Sequence, residues 1–204
     1  MESKQLYFYL TAAVITAIVL LSVFIVVNYD FSSYKYSVVQ GDVEFVSNEA
    51  EPGVLLAQLK EYDSFVVAPQ FVEKGAENNY MLSSLTMFIT VLTFKQKEVI
   101  SMGRIHEKNE LKNCQSNLGD VLTNKELSAD DCSKILADSD KGIILIALPD
   151  SSLEKSRVVL EKGTIKIYPN SFDSVSTSSF AVLKNMYSDA DSIIGGINSI
   201  VGNL

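Results

Sequence analysis

A layered α/β domain with a mixed, partly parallel sheet and edge hairpins, preceded by one transmembrane helix, is the fold class this sequence predicts. Three observations predict it. Residues 6–27 are apolar and carry no charge. Compact apolar runs alternate with helix-period segments from about residue 54 to about residue 148. Paired strand-like runs flank Gly41 and Gly163, the mark of tight hairpins.

The membrane segment comes first. LYFYLTAAVITAIVLLSVFIVV occupies residues 6–27, and as a helix it spans about 33 Å, enough for a hydrocarbon core of about 30 Å. Tyr7, Phe8 and Tyr9 at one end and Tyr29, Phe31 and Tyr34 at the other resemble interfacial aromatic belts. A cleaved signal peptide would have a shorter apolar core and end in small residues, but this segment ends Val26-Val27-Asn28-Tyr29-Asp30. The expected organisation is therefore a cytoplasmic tail at 1–5, a retained span at 6–27, a connector at 28–35 and an extracytoplasmic domain at 36–204. Lys4 and Lys35 balance across the span, so the outside placement rests mainly on the cysteines.

Cys114 and Cys132 are the only two cysteines in the chain. Their spacing matches neither a C-x-x-C redox motif nor a zinc knuckle, and the lone histidine, His106, cannot complete a four-ligand set. As a disulfide they close a loop of about nineteen residues, worth about 3 kcal/mol on the loop-entropy model. The intervening QSNLGDVLTNKELSADD reads as a polar loop that a disulfide would pin, which implies an oxidising compartment.

Along the domain, residues 36–39 and 43–46 form an opening hairpin about Gln40-Gly41-Asp42. Pro52-Gly53 starts a short helix with Leu55, Leu59 and Tyr62 on one face. SFVVA, residues 64–68, is a strand that Pro69 should stop. NNYMLSSLTMFITVLTF, residues 78–94, is uncharged but short for a span. Ser83, Thr86, Thr90 and Thr93 recur at helical period, so it reads as a core helix with that stripe against backbone or small residues and its apolar faces near Val66 and Ile144.

Residues 99–105 form the next strand. Ser128 followed by Asp130 and Asp131 has the form of a helix start. IILIAL, residues 143–148, is a continuous apolar run that needs cover on both faces, as in mid-sheet. Residues 157–160 and 164–168 form a second hairpin. Two helices close the chain, one over 173–187 capped by Asp173 or Ser174, the other from Asp189 with Gly195 and Gly196 set for close packing on the sheet.

The segments NCQSNLGD, LSADDC, LPDSSLEK, VVLEKGTIKIYP and LKNMYSDAD resemble a group of uncharacterised membrane-anchored proteins associated with archaea. The resemblance covers about residues 80–195 and implies a similar anchored architecture, with no activity attached to it.

The formal net charge of −8 argues against a nucleic-acid partner, which requires a concentrated basic surface. Asp138-Ser139-Asp140-Lys141-Gly142 has its glycine one place early for a calcium loop, with Pro149 where a bidentate Glu belongs. Asp189-Ala190-Asp191 fails likewise. No metal or cofactor is expected. Ligands of open α/β sheets bind beyond the carboxyl ends of parallel strands. Those ends here present Gln70, Arg104 and Ser152 as candidate ligand-binding residues. His106, Asp150 and Ser151 are the candidate catalytic set, provided the three strands are parallel neighbours. The leading expectation is a binding or interaction module at the membrane, with a protein partner or a second copy of the chain; an extracytoplasmic hydrolase is the rival.

Overall fold

The computed structural model describes residues 34–72, 75, 77–107, 110–117 and 125–201. The expected span at 6–27 lies outside them. Among the described residues no helix is long and apolar enough to cross a membrane.

Within the described residues, nine strands form one sheet in the order β1-β2-β8-β9-β7-β3-β4-β5-β6. The opening hairpin is β1 (Tyr36–Gln40) and β2 (Val43–Ser47). Its turn glycine, Gly41, has φ 59°, and Gly163 at φ 76° turns the hairpin of β8 (Ser156–Glu161) and β9 (Thr164–Tyr168). That left-handed conformation costs glycine almost nothing. The centre is parallel: β7 (Gly142–Ile146) lies between β9 and β3 (Ser64–Phe71), and β4 (Glu98–Glu107) flanks β3 on the other side. Gly142 sits where an added Cβ would come within 2.5 Å of the Phe65 ring, so β3 and β7 need it for their packing. Two antiparallel strands, β5 (Glu110–Asn117) and β6 (Lys125–Ser128), complete that side.

Side chains alternate across the sheet, and the two faces differ in cover. On the first face, Phe45, Phe65, Val67, Ile144, Ile146, Leu160 and Ile165 are buried beneath four helices. These are α1 (Pro52–Leu59), α2 (Asn78–Phe94), α4 (Asp173–Met186) and α5 (Ala190–Val201). On the second face, Val66, Ala68, Met102, Cys114 and Ile143 meet one short helix, α3 (Ala129–Leu136). Thus β7 is covered on both sides, as its unbroken apolar run requires.

The structure corrects several expectations. Pro69 does not stop β3, which runs on to Phe71. Its missing N–H falls on the β4 side, where the register skips Ala68 and Pro69, while the β7 side pairs Pro69 with Ile146. The polar loop between the cysteines contains the end of β5 and the whole of β6. In α2 the buried positions are Met81, Ser84, Phe88, Val91 and Leu92. Ser83, Thr86 and Thr93 face outward. The hydroxyl that is buried belongs to Ser84, hydrogen-bonded to Ser179 of α4. Because Val66 faces the other way, α2 meets Phe65 and Val67 with Ile144. α2 ends in a Schellman turn with Gln96 at φ 59°, Gln96 N donating to Thr93 O and Lys97 N to Leu92 O.

At the start of α4, Ser171 and Ser174 cap reciprocally, each backbone N–H donating to the other's hydroxyl. Neither Asp173 nor Ser174 acts as the N-cap residue. Nor are Gly195 and Gly196 close-packed: a Cβ at either would meet nothing within 4 Å.

Candidate functional site

The carboxyl ends of β9, β7, β3 and β4 lie side by side and point the same way. The parallel neighbourhood the strand-end residues require is therefore present, with β3 between β7 and β4. Gln70 of β3 pairs in register with Arg104 of β4, and Arg104 with Cys114 of β5. Alternation from Ala68 and Met102 puts Gln70, Arg104 and Cys114 in one row on the second face. Cys114 is bonded to Cys132 at the same place, the Cα atoms 6.1 Å apart, within the ordinary range for a disulfide.

Arg104 is the centre of this cluster. Its Nε donates to the Ala68 carbonyl at 2.9 Å and its Nη2 to the Ile146 carbonyl at 3.1 Å. Both carbonyls belong to the central parallel strands, so the guanidinium is tied to β3 and β7 at once. Burial lowers the guanidinium pKa to about 10, with the nearby Tyr168 at the end of β9 opposing that shift. Arg104 thus keeps its charge at neutral pH, and no carboxylate pairs with it among the described residues.

His106 follows on the same strand at a register irregularity, opposite Leu111. Its pKa is pushed down by burial first and by the Arg104 charge second. Its Nδ1 is buried and without a hydrogen-bond partner. Gln70 Oε1 accepts from Leu148 N at 3.5 Å, beside the end of β7.

Asp150, Ser151 and Ser152 form an exposed turn beyond β7. Asp150 Oδ1 accepts from Ser152 N at 2.9 Å and from Ser152 Oγ at 2.6 Å, and these two donors hold its carboxyl below the usual range. The backbone N of Asp150 donates to Pro169 O at 2.8 Å, which ties the turn to the chain leaving β9. Between β9 and β4 stand three strand spacings, about 14 Å. The structure therefore brings Gln70, Arg104 and His106 together and holds Asp150, Ser151 and Ser152 to the β9 side. Tyr168 escaped sequence reasoning, because nothing in a hairpin pattern says which strand its second arm will adjoin.

Two clefts lie elsewhere. One of about 460 Å³, at the opposite end of the sheet, is lined by Tyr62, Lys141, Lys162 and Thr164, with Lys141 ion-paired to Asp138. Another of about 310 Å³ opens between the start of β8 and α4, lined by Asp42, Glu154, Asn170, Asp173 and Ser174. Among the described residues no group of three or more His, Cys, Asp or Glu is placed to hold a metal.

The fold and site together define a mixed-sheet α/β domain with a polar cluster around one arginine at its parallel strand ends. Comparisons with protein-family models, with curated proteins and with solved structures find no match for this chain.

Proposed function

We propose that this chain is a binding or interaction module displayed outside the cell from a single N-terminal membrane anchor at residues 6–27, with a protein partner or a second copy as its extension. The observation that carries the module over an enzyme is the separation of the catalytic residue types. The Asp150 carboxylate is engaged by Ser152 and its backbone by Pro169, strands away from His106. A nucleophile and its base must stand within hydrogen-bond reach, and such a pair needs an orienting third group. The disulfide supports the outside placement, since such bonds persist in oxidising compartments.

Surface proteolysis of intact cells tests the display: the domain should be released while residues 1–5 stay protected. Assay of the purified chain against ester, amide and glycoside panels tests the module. Turnover that disappears in His106→Gln or Ser151→Ala would restore the hydrolase.

A further inference from the structure

We infer that the strand-end cluster is a carboxylate-binding site, with Arg104 as its anchor and Gln70 and His106 beside it. A guanidinium has a side edge and an end edge, and only the side edge of Arg104 is occupied by the described residues. Nε and Nη2 share one side of that plane, and both are spent on the Ala68 and Ile146 carbonyls. These bonds lock the plane in place. The end of the plane, Nη1 with the second Nη2 proton, is left as a two-pronged donor edge that matches the two oxygens of a carboxylate.

Charge points the same way. A half-buried cation is costly unless an anion meets it, and among the described residues the Arg104 charge is met by carbonyl dipoles. Other basic side chains along the sheet are paired: Arg157 with Glu44 at 3.2 Å and Lys166 with Glu161 at 2.7 Å. In a chain of net charge −8, a half-buried arginine with no carboxylate partner among the described residues stands out as held for an incoming group. The surroundings are suited to it. Gln70 brings a side-chain amide within the same cross-strand row, and the buried Nδ1 of His106 has no partner of its own. The position, beyond the carboxyl ends of parallel strands, is where open α/β sheets place their ligands.

The ligand class is a carboxylate presented end-on, from either a small free acid or the C-terminus of a peptide. This inference rests on reading the domain as a binding module. It is tested on purified protein, where topology plays no part, so it and the surface proteolysis fail separately.

His106 is the only histidine of the chain, which makes its Cε1–H proton resonance a reporter placed at the site. The full chain in phosphatidylcholine nanodiscs is titrated with sodium acetate, sodium succinate, trialanine, trialanine amide and sodium phosphate at constant ionic strength. The carboxylates should move the resonance saturably and raise the His106 pKa, because an anion on Arg104 cancels the charge that depresses it. Trialanine amide should not. Saturation by trialanine alone assigns a peptide C-terminus; saturation by succinate and acetate as well assigns small acids.

R104K keeps the charge but loses the fork, and should weaken binding by about tenfold or more. Should R104K fail to fold, Q70A is read in its place, with a loss of about threefold expected. No saturable shift with any carboxylate at about 50 mM, an affinity too weak to matter in a cell, overturns the assignment. So does an equal response to phosphate or trialanine amide, or undiminished binding in the variant that folds.

Discussion

The two faces of the sheet solve the same problem with unequal means. Among the described residues the first face gathers twenty-three buried core residues under four helices, while the second gathers seven under one helix of eight residues. A helix that short is marginal without tertiary support, and α3 has little apolar area to offer. It is held instead by its Ser128 cap, whose hydroxyl accepts from Asp131 N at 3.2 Å, and by the Cys132–Cys114 bond to β5. Covalent linkage stands in where burial is scarce. The scarce side is also the side that carries Arg104, His106 and Gln70, so the lightly roofed face is the one with polar groups near solvent.

The sharpest way to break this contrast is to damage the well-covered face. Phe88 is fully buried there, and Phe88→Asp should cost more than about 4 kcal/mol, since an unpaired charge replaces a core ring. Circular dichroism should show loss of the cooperative melt. Survival of a normal melt would mean that α2 is not part of the core.

Removing the bond with a Cys114→Ala/Cys132→Ala variant comes next, at about 3 kcal/mol. Hydrogen exchange should rise first in α3, β5 and β6, with the helices of the first face protected longer. Uniform loss of protection would show the two faces to be one cooperative unit.

Smaller still is Gly195→Ala. Open space surrounds that position in α5, so the substitution should stabilise by about 1 kcal/mol through helix propensity. A destabilised variant would place an unseen neighbour against the helix.

The smallest effect is one of pH. The His106 pKa is lowered in the folded protein from 6.5, so the unfolded chain binds its proton more readily. The stability this group contributes is full above about pH 6.5 and falls as acidity passes through the lower, folded value. His106→Gln should flatten the decline of melting temperature just below that pH. An unchanged slope would assign the decline to other groups.

Much of this architecture could be read from residues near one another in the chain. The hairpins follow from Gly41 and Gly163, which need no partner beyond their own turns. The start of α3 follows from Ser128 with Asp130 and Asp131, and the buried middle strand from the run beginning at Ile143. Readings failed where a distant element set the outcome. Pro69 was taken as a stop because a proline lacks a donor, yet its pairing with Ile146 of β7 carries the strand on to Phe71. The stripe of Ser83, Thr86 and Thr93 was placed inward on period alone, but α4 meets α2 at Ser84 and turns that stripe outward. At the site, Gln70, Arg104 and His106 were named from strand ends, whereas Tyr168 entered only through the order of the sheet.

The sequence by itself determined the uncharged run at 6–27, the alternation of helices and strands, the hairpin turns and the two cysteines available for a bond. These are local matters of hydrophobic period, backbone permissiveness and residue type. Only the tertiary structure decided that β7 and β3 stand between the Asp150 turn and β4, and that the carbonyls of Ala68 and Ile146 fix the plane of Arg104. Strand order depends on which apolar faces bury best together, and that sum runs over the whole chain. Hence the residues of the site were legible in the sequence, and their separation was not.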